Sequence, residues 1–195
     1  MVDKDLGIFM NKNCIDINDC KLSAIDCVDN YIIIGDEKGS ISSYEIKQSG
    51  EMTLNHCQSV MKGKVEQIKC LPHLNLAYVL VNGTLFGYTI PKLDQKFKFE
   101  SKDVGSIHKI VINEFAGSQN QILIVNKKRR IKFFEYNNEI SKLIEMKLEE
   151  MLVYELPEVI EWYGNWVCYV NRKKFFLNSV SDGVVLQQDL DEEGI

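Results

Sequence analysis

The sequence predicts an all-β protein built as a β-propeller of four-stranded antiparallel blades, with about four blades present in 195 residues. Three observations carry that prediction. Apolar, β-branched-rich runs of strand length alternate with short polar or Gly-containing turns over most of the chain. The resulting hairpins recur four times in one style. Matched residues in successive copies lie about 40–45 positions apart, which is the period of a propeller blade.

In the first copy Tyr31–Ile34 and Ser40–Ile46 flank the turn Gly35–Gly39. In the second, Leu76–Val81 and Thr84–Ile90 flank Asn82-Gly83, a strong two-residue hairpin signal because both residues tolerate positive φ. The third sets Ile122–Val125 against Ile131–Tyr136 across the polar stretch Asn126–Arg130, and the fourth sets Trp166–Val170 against Phe175–Val180 across Asn171–Lys174. A shorter strand precedes each hairpin: Ala24–Cys27, Gln67–Cys70, Lys109–Ile112 and Val159–Trp162. Their isoleucines, Ile25, Ile68, Ile110 and Ile160, are spaced 43, 42 and 50 apart, and the hairpin aromatics Tyr44, Tyr88, Phe134 and Phe176 are spaced 44, 46 and 42. Met52–Val60, Lys96–Phe99 and Leu143–Leu148 supply outer strands. The blades are expected at about 21–62, 63–104, 105–154 and 155–195 of one domain, with a further strand near Ile8–Ile17.

Residues 138–154 fit least well. Ile140, Leu143, Ile144, Leu148, Met151 and Leu152 fall at helical spacing among good helix formers, so an amphipathic helix is one reading. The repeat requires an outer strand there and Pro157 marks a connector, so a strand with an elongated linker is the expectation.

Composition narrows the function classes. With 45% hydrophobic and 26% charged residues, the chain is globular rather than disordered. Twenty-three Lys+Arg against 28 Asp+Glu give a net charge of -5, which argues against a nucleic-acid binder. No run approaches the roughly 20 apolar residues that span a bilayer, and the N-terminus lacks the apolar core of a signal peptide. A cytoplasmic location is expected. The six cysteines show no metal or redox spacing and are expected to be reduced, with Cys27 and Cys70 as buried, inert thiols.

The catalytic inventory is thin. His56, His73 and His108 have no acid, thiol or second histidine at ligand spacing, and no nucleophile elbow, P-loop, dinucleotide or zincin motif occurs. No catalytic residue, cofactor or metal site is expected. Asp36 is expected to bond its own turn backbone. Gly35, Gly39, Gly83 and Gly183 are read as backbone necessities at turns or strand ends. Trp162 and Trp166 read as packing between blades, or alternatively as an exposed aromatic platform. The most concentrated charge is Lys127, Lys128, Arg129 and Arg130 with Lys132, and Arg172, Lys173 and Lys174 occupy the same place in the next unit. These eight residues are the candidate contacts for an acidic protein surface or anionic lipid; the bland alternative is solvated turns.

Four segments carry a family resemblance. Tyr31–Ile46 (YIIIGDEKGSISSYEI), Lys64–Asp94 (KVEQIKCLPHLNLAYVLVNGTLFGYTIPKLD), Ile122–Glu139 (ILIVNKKRRIKFFEYNNE) and Glu155–Gly183 (ELPEVIEWYGNWVCYVNRKKFFLNSVSDG) resemble, in order, segments of citron homology (CNH) domains. Among these, the Val65-Glu66-Gln67-Ile68 string and Lys127–Arg130 are most similar to the N-terminal domains of HOPS and CORVET tether subunits, including the TGF-beta receptor-associated type. That resemblance implies a seven-bladed propeller that binds a Rab-type GTPase or other tether subunits in endosomal and vacuolar or lysosomal traffic, in the cytoplasm or peripheral to those membranes, without catalysis. Seven blades would need roughly 300 residues at this period, so the chain is expected to be the first part of such a ring, a closed four-bladed ring being the other arrangement. Two other functions remain open: a CNH module of a small-GTPase signalling protein, and a propeller hydrolase or lectin.

Overall fold

The computed structural model describes residues 2–3, 8–9, 21–100, 102–115, 117–118, 120–172 and 174–189. Two short strands, β1 (Val2–Asp3) and β2 (Ile8–Phe9), pair with each other. The remainder of the strand expected near Ile8–Ile17 lies outside the described residues. The other described strands form four antiparallel sheets, each built on a four-strand meander. Blade 1 contains β3 (Leu22–Val28), β4 (Tyr31–Asp36), β5 (Ser40–Ile46) and β6 (Met52–Ser59). Blade 2 contains β7 (Val65–Leu71), β8 (Leu76–Val81), β9 (Thr84–Thr89) and β10 (Gln95–Phe99). Blade 3 contains β11 (Ile107–Ile112), β12 (Gln121–Asn126), β13 (Arg130–Asn137), β14 (Lys142–Glu145) and β15 (Met151–Leu152). Blade 4 contains β16 (Val159–Tyr163), β17 (Trp166–Asn171), β18 (Lys174–Ser179) and β19 (Gly183–Asp189).

The uncertain stretch 138–154 is extended rather than helical. β14 and β15 pair with opposite ends of β13, so the outer strand of blade 3 is interrupted at 146–150. Its apolar residues sit at helical spacing because this edge strand is broken and largely solvated; Ile144 and Leu152 are exposed. The only helical element among the described residues is a single 3-10 turn, Pro72–Leu74.

Burial explains why the second strands read as unbroken apolar runs. Tyr78 and Leu80 of β8 point into one apolar cluster with Ile107, Ile110 and Ile122, whereas Ala77, Val79 and Val81 point into another with Ile33 and Ile41. In β12, Ile122 and Ile124 enter the first of these, and Leu123 and Val125 enter a third with Trp162, Val167 and Tyr169. A strand covered on both faces needs apolar residues at odd and even positions alike. There are three clusters and three gaps between sheets. At about 25 cal/mol per Å² of buried apolar area, these gaps supply the main stabilisation.

Pairing registers repeat from blade to blade. Ile25 faces Ile34, Ile68 faces Val79, Ile110 faces Ile124 and Ile160 faces Tyr169, each two or three residues before the strand's last paired position. Three of these isoleucines are at most 3% exposed, but Ile25 is 65% exposed because it lies on the face of blade 1 turned away from blade 2. Cys27 lies on that same face and is exposed, correcting the expectation of a buried thiol. The aromatic column also needs one correction. Tyr44, Tyr88 and Phe134 share a register, opposite Ile32, Ala77 and Ile122. The equivalent place in blade 4 is taken by buried Asn178, opposite Val167, with Phe176 two residues earlier.

Polar bonds link neighbouring sheets at the repeat distance. Ser23 Oγ donates to Val65 O at 2.8 Å, and the Asp26 carboxylate accepts the Cys70 N–H at 2.7 Å. Gln67 grips Ile110 twice, donating to its carbonyl at 2.8 Å and accepting its N–H at 3.0 Å. Asn113 Oδ1 accepts the Gly164 N–H at 2.8 Å. The partners are 42, 44, 43 and 51 residues apart. The Cys70 thiol, half-buried beside the Asp26 carboxylate, has its pKa pushed up, first by burial and then by that carboxylate, which disfavours the nucleophilic thiolate.

Gly35 lies within β4 rather than in the turn, and its requirement is close approach. A Cβ there would come within 2.5 Å of Val65 Cγ1 across the blade 1–blade 2 gap. Gly35→Ala is therefore expected to lower unfolding free energy by about 1–3 kcal/mol through overpacking. The urea midpoint measures this, and an unchanged midpoint would mean the gap is looser than described.

Candidate interaction surface

The turn between second and third strands is built alike in blades 1 and 3. Asp36 Oδ1 accepts the N–H groups of Lys38 and Ser40 at 2.9 and 2.8 Å, and Asn126 Oδ1 accepts those of Lys128 and Arg130 at 3.0 and 2.9 Å. This is the backbone bonding expected of Asp36. The fourth residue of each turn is left-handed: Gly39 at φ +90° and Arg129 at φ +65°. A left-handed backbone costs an ordinary residue about 1–2 kcal/mol relative to glycine.

These turns bind the segments that lead to adjacent blades. The carbonyls of Gly39, Gly83 and Arg129 accept N–H bonds from Val60, Ile107 and Val153 at 2.8, 2.9 and 2.9 Å. The side-chain amides of Asn82 and Asn126 reach back to the carbonyls of Lys62 and Val104 at 2.7 and 2.8 Å. One end of the molecule is thereby a rigid array of turns and connectors. Lys38, Lys62, Lys64, Lys127, Lys128, Arg129 and Arg172 stand on it, interspersed with Glu37, Glu155 and Glu158. The turns of the opposite end carry Asp29, Glu51, Asp94, Glu114, Glu139 and Asp182 against Lys47 and Lys92. The net negative charge thus conceals a polarity between ends.

The structure divides the eight basic candidates. Lys127, Lys128, Arg129 and Arg172 are exposed, and none has an ion pair among the described residues. Arg129 and Arg172 line one groove of about 730 Å³, on either side of Tyr154 and Glu155, so the two turns meet across the blade 3–blade 4 connector. Arg129 Nη1 donates to Tyr154 O at 2.5 Å. Three others meet acidic partners. Lys132 bonds Glu145 at 2.8 Å, with Glu150 at 3.8 Å, and its ammonium pKa is raised chiefly by the Glu145 hydrogen bond. Arg130 pairs with Glu150 and Lys174 with Asp189, each at 3.2 Å. Lys132 and Arg130 therefore brace the interrupted outer edge of blade 3. Lys173 lies outside the described residues.

Sequence inspection missed Tyr154, which is 78% exposed between the two basic turns. Its only signal was its place in the connector before Pro157. The two tryptophans separate: Trp162 is 2% exposed and packs edge-to-face on Phe133 at 5.2 Å, whereas Trp166 is 44% exposed. The expectation of inter-blade packing thus holds for Trp162 and is corrected for Trp166.

His56 lies in β6, His73 in the 3-10 turn and His108 in β11, on three different blades. Among the described residues no group of three or more His, Cys, Asp or Glu side chains could hold a metal ion. No described helix is long and apolar enough to cross a membrane. The surface offers rigid loops with exposed charge, which serve binding.

Arg129→Gly tests how far its turn depends on the Arg129 side chain. Relief of the left-handed strain offsets the lost Tyr154 bond, so stability is expected to stay within about 1 kcal/mol of the unchanged protein. A larger loss in urea unfolding would show that Arg129 is chiefly a structural strut.

Comparison with known proteins agrees with the architecture. The chain overlays the WD40 domain of Neurospora crassa Pan2 with a TM-score of 0.66 at 10% identity, covering 89% of this chain and 51% of that one. It overlays the β-propeller domain of Myceliophteria thermophila Cps50 (Swd1) with a TM-score of 0.60 at 12% identity, covering 78% and 51%. The chain therefore spans about half the length of these solved structures. At such identities the likeness shows the fold alone, a β-propeller. No curated protein matches. The CNH domain family matches residues 28–193, which is most of the chain. This protein belongs to the CNH domain family and has a β-propeller fold.

Proposed function

We propose that this CNH propeller is a non-enzymatic scaffold in endolysosomal or vacuolar vesicle tethering. It binds a Rab-type GTPase or another tether subunit, in the cytoplasm or peripherally at endosome or vacuole/lysosome membranes. The observation that carries the reading is the family match across residues 28–193, joined to the tether-like Val65–Ile68 string and the basic turn Lys127–Arg130. Stacked sheets hold the turn end rigid, so a partner docks without ordering the loops first. Exposed Lys127, Lys128, Arg129 and Arg172 offer point charges and planar forks to an acidic surface. Tyr154 supplies an aromatic contact between them.

Membrane contact is secondary in this scheme. Near an anionic bilayer each basic residue contributes about 1 kcal/mol. Four such residues, opposed by an overall charge of -5, support a protein-held complex at a surface rather than an independent anchor.

The test uses purified Rab-type GTPases loaded with GTP or GDP, and purified HOPS and CORVET subunits, in titrations against this chain. At least one is expected to bind, a GTPase preferentially in its GTP form. The variant Lys127→Glu/Lys128→Glu/Arg172→Glu should weaken binding at least about tenfold, since each opposed charge pair costs on the scale of 1 kcal/mol or more. Absence of binding throughout would remove the tethering function. Binding unaffected by the variant would move the contact off the turn end.

A further inference from the structure

The row of blades ends in two sheet faces, that of blade 1 turned away from blade 2 and that of blade 4 turned away from blade 3. Both are built like walls of an internal gap. In blade 1, Leu22 and Ile25 stand opposite Asp36 and Ile34, the register that Val65 and Ile68 hold opposite Val81 and Val79 in blade 2. Val65 and Ile68 are buried against blade 1, whereas Leu22 and Ile25 are 51% and 65% exposed. In blade 4, Cys168 and Val170 of β17, with Leu177 and Phe175 opposite them in β18, repeat the places of Leu123, Val125, Phe133 and Ile131 in blade 3. Those blade 3 residues are buried against blade 4. Their blade 4 counterparts are only half-buried, and Leu186, opposite Leu177, is exposed.

One molecule therefore carries both walls of a further gap, at opposite ends. In each internal gap the far face of one blade covers the near face of the next, so the far face of blade 4 matches the near face of blade 1. The polar groups agree with that pairing. In every gap a side chain from the first strand of the earlier blade reaches the backbone of the next. Asp26 accepts the Cys70 N–H, Gln67 grips Ile110, and Lys109 Nζ donates to Glu158 O at 2.6 Å. Glu161, one place after Ile160, holds in blade 4 the position of Asp26 and is exposed. Cys27 holds in blade 1 the position of Cys70 and is exposed too. A Glu161 carboxylate accepting the Cys27 N–H of a second copy repeats the Asp26–Cys70 bond.

The comparison structures set the stoichiometry. This chain covers 51% of each of two solved propellers. A chain that overlays half a ring holds its two end faces apart, and two copies supply the length of one ring. We infer that two copies of this 195-residue chain close one ring, blade 4 of each stacking on blade 1 of the other about a two-fold axis. Four blades from each copy make eight, within the range that propellers adopt, and two-fold closure is the commonest symmetry of homo-oligomers. Closure takes both apolar end faces out of water. The inference goes beyond the tethering proposal and does not require it.

Sedimentation velocity of the chain over a dilution series provides the test. The expected species at the concentrated end has twice the 22.5 kDa chain mass, dissociates to monomer on dilution, and is not followed by larger assemblies, because a closed ring leaves no end face free. Ile25→Glu and Leu186→Glu each put a charge into one of the two walls. Both side chains are exposed in the single chain, so both variants should fold, with unchanged circular dichroism. Each should raise the dimer dissociation constant at least about tenfold, since a charge buried unpaired in an apolar wall is costly. Lys127→Glu, on the turn end, should leave dimerisation as it is. A monomer at every concentration, or growth into assemblies without limit, would overturn the inference. So would a dimer weakened by only one of the two wall variants, which would mean that like faces pair.

Discussion

A sheet that is apolar on both faces cannot exist alone in water, and every feature of this molecule follows from how that constraint is met. β8 and β12 send alternate side chains into different gaps, so each sheet is the wall of two clusters at once. Stacking of successive sheets removes both faces from water. The polar bonds across the gaps then fix how one blade sits on the next, because an unpaired buried amide or carbonyl costs more than a bond gains. Gln67 gripping Ile110 and Asn113 gripping Gly164 are such registers.

The same constraint positions the functional surfaces. Since the turn backbones of Gly39, Gly83 and Arg129 are used to hold connectors, only their side chains remain for partners. At the turn end those side chains are mostly basic. At the other end the first turns of blades 3 and 4 present the aromatic rings of Phe115 and Tyr163 over buried Asn113. The two ends therefore differ in chemistry as well as in charge.

Much of the architecture was legible in the sequence because the physical cause is periodic. Isoleucines 25, 68, 110 and 160 occupy one register, and Asn82-Gly83 and Asp36 form the turns their chemistry favours. What was not legible depended on neighbours remote in sequence. Phe176 kept the aromatic spacing but not the register, since in blade 4 Asn178 holds the equivalent place and the aromatic stands two residues earlier. Residues 138–154 mimicked a helix because an interrupted edge strand loses its alternation. Charge was readable but its availability was not: Lys132 and Arg130 meet Glu145 and Glu150, whose approach depends on that same broken strand. The aromatic surface of the other end was half visible in Trp162 and Trp166, yet Phe115 and Asn113 join it from about 50 positions earlier.

Hydrogen–deuterium exchange of the chain diluted to monomer, resolved by strand, tests the stacking account most directly. Blades 2 and 3 are covered on both faces, whereas Ile25 in blade 1 and Leu186 in blade 4 face outward. The account predicts that β8 and β12 exchange slowest and together, at least about tenfold more slowly than β3 and β19, as members of one cooperative unit. Protection equal in all four blades, or highest in β3 and β19, would contradict it.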